Sequence, residues 1–326
     1  MLKELALAGL MAGLSAAPAL ANPLASKDLI EIWPGGVGPG SEGLTLQQTG
    51  TERSNVPYWP DRILTKITRP ALTAFVPDHP NGTAVIVAPG GAYMRIAIDK
   101  ESSEMARWLN PYGVTVLVMS YRLPGEGHQN AADVTLEDAQ RAVRVVRAHA
   151  AEWHLDPHRI GFLGASAGGH MAASLATGFD RKVYEPKDAA DQLSARPDFE
   201  ILLYPVISMT DKLANMDTRN QLLGAHPTEE QIAKYSPDQH VSKTVPPTFV
   251  TLAEDDSQVP PANGIGYFHK LHALGVKGEL HVFKQGDHGF GIRDARQLPV
   301  SNWPNLAMAW MKTNGFVPQA AGLQAK

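Results

Sequence analysis

Apolar residues along this chain gather in short continuous runs, and the longer segments between the runs have helical spacing. Consecutive apolar positions are typical of strands that are buried on both faces of a parallel sheet. Such runs occupy residues 83–88, 114–119, 159–163 and 201–204, and two more follow at 248–252 and 279–283. Two earlier runs, 63–68 and 72–76, flank Arg69-Pro70 and predict an antiparallel pair of strands.

The clearest helical segment is predicted over residues 135–152, with Thr135 as the N-cap and Asp138 at the third helical position. Its apolar side chains fall on one face: Ala139, Val143, Val146 and Ala150. Three arginines fall elsewhere on the helix, and we expect them to point to solvent rather than to form a binding stripe: Arg141, Arg144 and Arg147.

Strands that alternate with helices predict an α/β fold with a doubly wound, mostly parallel eight-stranded sheet and helices on both faces. We expect one such domain over residues 61–318, preceded by an extended lead-in at 22–60 that is rich in Gly and Pro. The segment 206–245 is longer than a crossover helix requires, and it predicts a small lid. Residues 319–326 are expected to form a flexible tail.

The N-terminus has the pattern of a secretory signal peptide over residues 1–21. A short charged start precedes an apolar stretch at 5–14, and Ala19-Leu20-Ala21 matches a cleavage site. The stretch is too short to span a bilayer, and no longer apolar run follows it. We therefore expect a secreted or periplasmic protein without a membrane span.

Composition narrows the possible chemistry. The chain has 326 residues, a net charge of −4 and no cysteine. Without cysteine there can be no disulfide, thiolate zinc site or cysteine nucleophile. No basic stripe is present, so nucleic acid is not an expected partner.

One serine stands in the pattern of a nucleophile elbow. Residues 164–168 read Gly-Ala-Ser-Ala-Gly and follow the apolar run at 159–163 directly. A sharp turn from strand to helix pushes such a serine hydroxyl out of the backbone, and small residues on both sides let the turn pack. The motif alone is weak, because it also arises by chance, so the rest of the chain has to support it.

A serine nucleophile needs a base and an acid that orients the base. In hydrolases of this sheet type these follow the serine in the order acid, then histidine, at the ends of later strands. Of the 12 histidines, His288 has this place, in the loop Gly286-Asp287-His288-Gly289. The acid comes from the group after the strand at 248–252, which is Glu254, Asp255 and Asp256.

Backbone N–H groups are expected to bind the oxyanion. One comes from Ala167, the residue after the nucleophile. The others are predicted in the loop Pro89-Gly90-Gly91-Ala92-Tyr93, which follows the run at 83–88, and we choose Gly91 and Ala92.

With these residues in hand, the chain resembles the esterase and acetyl-xylan-esterase branch of the α/β-hydrolase superfamily, which is related to the hormone-sensitive-lipase-like enzymes. The resemblance covers residues 28–316 and includes blocks at 32–35, 89–93, 121–124, 138–142, 164–170, 256–260 and 286–290. In this branch the acid precedes two variable residues and Val-Pro, which selects Asp256. Pro89 and Ala92 depart from the family pattern, and His170 is expected to pack beneath the turn.

The resemblance implies an α/β-hydrolase fold and a serine carboxylesterase that needs no cofactor and no metal. Its expected substrate is a short-chain ester, such as an acetyl group on xylan. The ester belongs to a small molecule or to a polysaccharide. Tyr93, Trp33 and Trp59 are candidates for stacking on sugar rings. The sequence leaves the oligomeric state and the acyl-chain preference open.

Three other functions compete with this one. The same triad could serve a peptidase or amidase, although no gating domain is evident. A binding protein on the same scaffold would usually have lost a triad residue. A metal-dependent deacetylase would need a His/Asp cluster with ligand spacing, which we do not find in the sequence.

Overall fold

The computed structural model describes residues 24–318. The predicted signal peptide and the predicted C-terminal tail lie outside the described residues. Eleven strands are present in this part of the chain. They are β1 Leu29–Glu31, β2 Thr49–Glu52, β3 Arg62–Thr65, β4 Ala71–Phe75, β5 Ala84–Ala88, β6 Ile96–Ala97, β7 Thr115–Ser120, β8 Ile160–Ala165, β9 Phe199–Leu203, β10 Thr248–Ala253 and β11 Gly278–Phe283.

Eight of these strands form one sheet in the order β1-β4-β7-β5-β8-β9-β10-β11. In this order, neighbouring strands pair in parallel from β7 through to β11. The pairs β1–β4 and β4–β7 are antiparallel. The prediction of a mostly parallel eight-stranded sheet is therefore confirmed. Parallel order brings the carboxyl ends of β5, β8, β10 and β11 to one edge, where their loops can meet.

Helices cover both faces of this sheet. The α-helices are α1 Glu104–Leu109, α2 Val134–Ala148, α3 Ala167–Gly178, α4 Met216–Leu223, α5 Glu229–Lys234, α6 Ala262–Ala273 and α7 Trp303–Thr313. All five side chains of β5 are buried, and they alternate between two cores. Ile86 packs in the core beneath α2, α3 and α6, whereas Val85 and Val87 pack in the core beneath α1 and α7.

The predicted antiparallel pair at 63–68 and 72–76 is not present. β3 pairs with β2 and β6 in a separate three-stranded sheet, and β4 pairs with β1 and β7. The reason lies in the connection between them. Lys66 adopts a positive φ of 61°, and the N–H groups of Lys66 and Ile67 donate to the Glu126 carboxylate instead of crossing a hairpin.

The lead-in at 22–60 is more than a wrapped extension, because it supplies β1 to the edge of the main sheet. It is also tied to α2 through Trp33, whose indole N–H donates to Asp138 at 2.8 Å. Asp138 in turn accepts from the Arg122 guanidinium at 2.7 Å, and both side chains are fully buried. A charged group buried this deeply stays in place only when it is paired and hydrogen-bonded.

The expectation that the α2 arginines are solvated is wrong. Arg141 is only 3 % exposed and binds the carbonyl of Ile32 and the carboxylates of Asp188 and Asp191. Helical spacing placed these arginines off the main core stripe, but the segment 184–198 covers that side of the helix. Arg144 and Arg147 also bind this segment, at the carbonyl groups of Leu193 and Ser194.

The start of α2 also differs from the prediction by two residues. The helix begins at Val134 with Asp133 at the N-cap, and no side chain caps it. Thr135 is therefore inside the helix and is buried.

The segment between β9 and β10, predicted as a lid, contains the two short helices α4 and α5. It is anchored to the main body at its start, where the N–H groups of Ile207 and Ser208 donate to the Asn263 side chain. Its action as a lid stays a prediction. Among residues 24–318, no helix is long and apolar enough to cross a membrane.

The buried Arg122–Asp138 pair should carry much of the attachment of the lead-in. We expect Asp138→Ala to lower the free energy of unfolding by about 3–5 kcal/mol, because Arg122 would remain charged and buried without its main partner. Chemical denaturation measures the loss. The control is Glu31→Ala, which removes the exposed pair with Arg69 and should cost less than about 1 kcal/mol. Equal losses in the two variants would contradict this assignment.

A second stability prediction concerns Glu200, which is fully buried in β9. Burial raises the pKa of Glu200 to about 8, from an ordinary value of 4.5. The folded protein then keeps a proton that the unfolded chain releases, so this residue reduces stability as the pH rises from about 4.5 to about 8.

We therefore expect Glu200→Gln to match the wild type near pH 4.5 and to be more stable by a few kcal/mol at pH 8. Denaturant titrations at several pH values test this, with the exposed Glu279→Gln in β11 as control. A stability difference that does not change with pH would show that Glu200 is ionised in the folded protein.

Candidate active site

Ser166 lies in the sharp turn between β8 and α3. Its backbone has φ 53° and ψ −118°, a conformation that is strained for a residue with a side chain. Hydrogen bonds on both sides hold it there. The Ser166 N–H donates to the carbonyl of Leu203, and the Ser166 carbonyl accepts from the N–H groups of His170 and Val206.

The flanking glycines are required by close packing. A Cβ on Gly164 would lie 2.2 Å from the carbonyl oxygen of Gly168. A Cβ on Gly168 would lie 2.1 Å from the carbonyl oxygen of Ala88, at the end of β5. Neither position can accept a side chain without moving the backbone, which explains the small residues around Ser166.

Three predicted side chains meet at this turn. His288 Nε2 lies 2.8 Å from Ser166 Oγ, and His288 Nδ1 lies 2.8 Å from Asp256 Oδ2. The Asp256 side chain is 3 % exposed and the His288 side chain is 9 % exposed. A carboxylate can only accept at Nδ1, so Nδ1 carries the proton and Nε2 is free to accept the serine proton.

The loops that hold the acid and the base are linked in both directions. Asp255 accepts from the N–H groups of Gly286 and Asp287 at 2.9 and 2.8 Å. Asp287 accepts from the N–H and hydroxyl groups of Ser257, which keep the pKa of Asp287 below its ordinary value. Asp256 itself is oriented by the N–H groups of Gln258 and Val259. No sequence signal pointed to this link between the two loops.

The predicted oxyanion loop packs against the nucleophile. A Cβ on Gly90 would lie 2.8 Å from the Cβ of Ser166, so this backbone is in direct contact with the turn. Ala92 and Tyr93 both have positive φ, at 54° and 56°. In the described part of the chain, the N–H groups of Gly91, Ala92 and Ala167 donate to no protein acceptor, which leaves them available to bind an anionic oxygen.

Glu101 supports this loop from below, and no sequence signal pointed to it. Its carboxylate is 5 % exposed and accepts from the Gly90 N–H at 2.6 Å and from the Tyr204 hydroxyl at 3.0 Å. The Tyr204 ring makes an edge contact with the His288 imidazole, with ring centroids 5.0 Å apart. One buried carboxylate therefore touches the oxyanion loop and the residue that packs on the base.

His170 lies beneath the turn, as the resemblance implied. Its Nε2 lies 2.8 Å from the carbonyl of Tyr235, and its Nδ1 lies 2.9 Å from the Tyr93 hydroxyl. The carbonyl can only accept, so Nε2 carries the proton and Nδ1 accepts from Tyr93. Burial lowers the pKa of His170 to about 4, so this histidine is neutral at pH 7.

Two of the three candidate sugar-stacking residues are buried. Tyr93 is 0 % exposed and bonds to His170, and Trp33 is 2 % exposed and bonds to Asp138. Neither ring can present its face to a substrate. We therefore correct the prediction that these two residues stack on sugar rings and assign both a structural role. Trp59 is half-buried, and the Arg296 guanidinium lies 4.6 Å from the centre of its ring.

Metal-ligating side chains do not converge anywhere within residues 24–318: no group of three or more His, Asp or Glu residues there could hold a metal ion.

Comparisons with known proteins show what this chain is similar to. The family model described as BD-FAE matches residues 75–271. A crystal structure of an acetyl ester-xyloside bifunctional hydrolase from Caldicellulosiruptor lactoaceticus has a TM-score of 0.74 and 31 % sequence identity. The similarity covers 91 % of this chain and all of that one. The predicted α/β-hydrolase fold is confirmed.

Two curated relatives match over shorter parts of their length. An acetylxylan esterase of Xylanibacter ruminicola is 33 % identical over 225 residues, which is 68 % of this chain and 44 % of the relative. Endo-1,4-beta-xylanase B of Butyrivibrio fibrisolvens is 33 % identical over 215 residues, which is 66 % of this chain and 33 % of the relative. This chain thus spans less than half the length of either relative.

The matched segment holds the oxyanion loop, the serine turn and Asp256, and it covers more than half of the chain. The predicted resemblance to the acetyl-xylan-esterase branch is confirmed, and the chain belongs to the BD-FAE family of α/β-hydrolases.

Proposed function

We propose that the protein is a secreted or periplasmic serine carboxylesterase that removes short acyl groups, chiefly acetyl, from plant cell-wall polysaccharide such as acetylated xylan. The observation that carries the proposal is the hydrogen-bonded chain from Ser166 through His288 to Asp256. Beside it lie the N–H groups of Gly91, Ala92 and Ala167, which donate to no acceptor among residues 24–318. No cofactor is needed for this chemistry.

In the first half of the reaction, His288 Nε2 accepts the proton of Ser166 Oγ while the oxygen attacks the ester carbonyl carbon. The carbonyl oxygen becomes negative and is bound by the N–H groups of Gly91, Ala92 and Ala167. Asp256 stabilises the imidazolium that forms. The imidazolium then donates its proton to the sugar oxygen as the bond between that oxygen and the carbonyl carbon breaks. The sugar leaves with a free hydroxyl, and the acyl group stays on Ser166.

In the second half, water replaces the sugar. His288 takes a proton from the water, and the resulting hydroxide attacks the acyl-enzyme carbonyl. The same N–H groups bind the second oxyanion. The intermediate collapses when His288 returns the proton to Ser166 Oγ, which releases the carboxylic acid and restores the starting state.

The substrate class is supported by the relatives and by the N-terminal pattern. One relative is an acetylxylan esterase, another is a xylanase, and the similar crystal structure is of a hydrolase of acetyl esters and xylosides. A polymer of this kind has to be met outside the cytoplasm, which fits the predicted signal peptide at 1–21.

The serine is the first test. We expect Ser166→Ala to lower kcat/KM for an aryl acetate by at least about 10⁴-fold, because the nucleophile is lost while the fold is kept. A fluorophosphonate probe should label the wild type and not the variant. Ser174→Ala, about two turns further along α3, is the matched control and should keep both labelling and activity. Labelling that survives in Ser166→Ala would refute the assignment.

The substrate class needs its own comparison with the same protein. Acetylated xylan, plain aryl acetate and an aminoacyl anilide are assayed side by side for released acetate or amine. The proposal expects rapid release of acetate from the polysaccharide. Faster turnover of the anilide would identify a peptidase or amidase instead.

Glu101 is a positioning residue in this scheme. Glu101→Ala leaves the Gly90 N–H without an acceptor and releases Tyr204, so the oxyanion loop can shift. We expect kcat for an aryl acetate to fall by about 10–100-fold with KM changed less than about threefold, since the lost stabilisation acts in the transition state. Glu101→Gln keeps one acceptor oxygen and should recover most of kcat. Equal loss in both variants, or a loss confined to KM, would contradict this role.

A further inference from the structure

One cavity lies outside the serine site, and the proposed reaction gives it no role. It has a volume of about 400 Å³ and is walled by Pro304 of α7 and by three further parts of the chain. These are residues 58–60, the helical stretch from Asp99 to Trp108, and the loop at 292–296. Such a volume is within the range of ligand-binding clefts.

Aromatic surface is exposed at the mouth of this cavity. Tyr58 is 85 % exposed, although large aromatic side chains are usually at least partly covered. Its neighbour Trp59 is half-buried in the cavity wall, and the guanidinium groups of Arg293 and Arg296 already lie over its ring, at 5.5 and 4.6 Å from its centre. The exposed ring of Tyr58 can pack against the apolar face of a pyranose ring while its polar edge stays in water.

The charges around the cavity are not balanced. Arg293 is matched by Asp61 and Glu104 at 3.6 and 3.5 Å, and Asp99 is matched by Arg62 at 2.7 Å. In the described residues, neither Arg107 nor Arg296 has a carboxylate within 4.0 Å. Both guanidinium groups are exposed and line the cavity. A guanidinium without a carboxylate partner is suited to bind a carboxylate through two parallel hydrogen bonds.

The cavity shares two segments with the serine site. The helical turn Asp99–Ser103 turns Glu101 toward the Gly90 N–H, whereas Asp99 and Ser103 line the cavity. The loop that begins at His288 reaches the cavity at Ile292. The cavity is therefore joined to the serine site by two short stretches of the chain.

We propose that this cavity binds an acidic sugar, a hexuronic acid carried as a side group on the polysaccharide whose acyl groups are removed at Ser166. The aromatic surface takes the sugar ring, and Arg107 and Arg296 take the carboxylate. This rests on the proposed function for the class of polymer, but the binding itself is measured without any hydrolysis.

The test is calorimetric titration of the full-length protein with two deacetylated xylo-oligosaccharides of equal length, one carrying a glucuronic acid and one neutral. We expect the acidic oligosaccharide to bind at least about tenfold more tightly, as one good ion pair provides. Arg107→Gln/Arg296→Gln should abolish this difference. Tyr58→Ala should weaken binding of both oligosaccharides.

The matched control is Lys182→Gln/Lys243→Gln, which removes two exposed charges outside the cavity and should keep the tenfold preference. Equal affinity for the two oligosaccharides, or a preference that survives in the double arginine variant, would overturn the proposal. Equally tight binding of poly-glutamate would also overturn it, because it would show recognition of charge without sugar. If acetylated xylan is not a substrate but the acidic oligosaccharide still binds, the proposed function fails and the cavity assignment stands.

Discussion

The backbone of Ser166 is the constraint on which the site depends. A positive φ for a serine costs about 1–3 kcal/mol, and the surrounding structure has to hold it. Strand β9, the loop after it and helix α3 do so, through the hydrogen bonds of Ser166 to Leu203, Val206 and His170. Because β8 and β9 are paired along their length, this turn cannot relax without opening the centre of the sheet. The proposed nucleophile is therefore held in place by the centre of the sheet.

The fold and the three side chains Ser166, Asp256 and His288 could be predicted from the sequence for the same reason. Buried parallel strands appear as continuous apolar runs, and the loops after them all meet at one edge of the sheet. Once Ser166 is placed after one strand, the order of the chain leaves few positions for the acid and the base. Local patterns of this kind are readable because each depends on residues that are close in sequence.

The features that the sequence did not reveal depend on partners far along the chain. Arg141 has the spacing of a solvated residue, and only the segment around Asp188 makes it a buried one. Glu101 has no motif around it, and its role arises because β5 and β9 bring Gly90 and Tyr204 to it. Trp33 is of a residue type that can stack on sugar rings, but its indole N–H donates to Asp138 in the core. Side-chain identity alone does not separate these outcomes.

The bond between Trp33 and Asp138 also has a consequence for how the molecule assembles. The two residues are 105 positions apart, so the segment around Trp33 has no place to dock on α2 until that helix has been synthesised. Closing so long a loop is slow compared with forming local helices. The same lead-in carries β1, which covers the outer edge of β4. While β1 is absent from the sheet, that edge is open to pairing with another chain, so the attachment of the lead-in also guards the folding protein against aggregation.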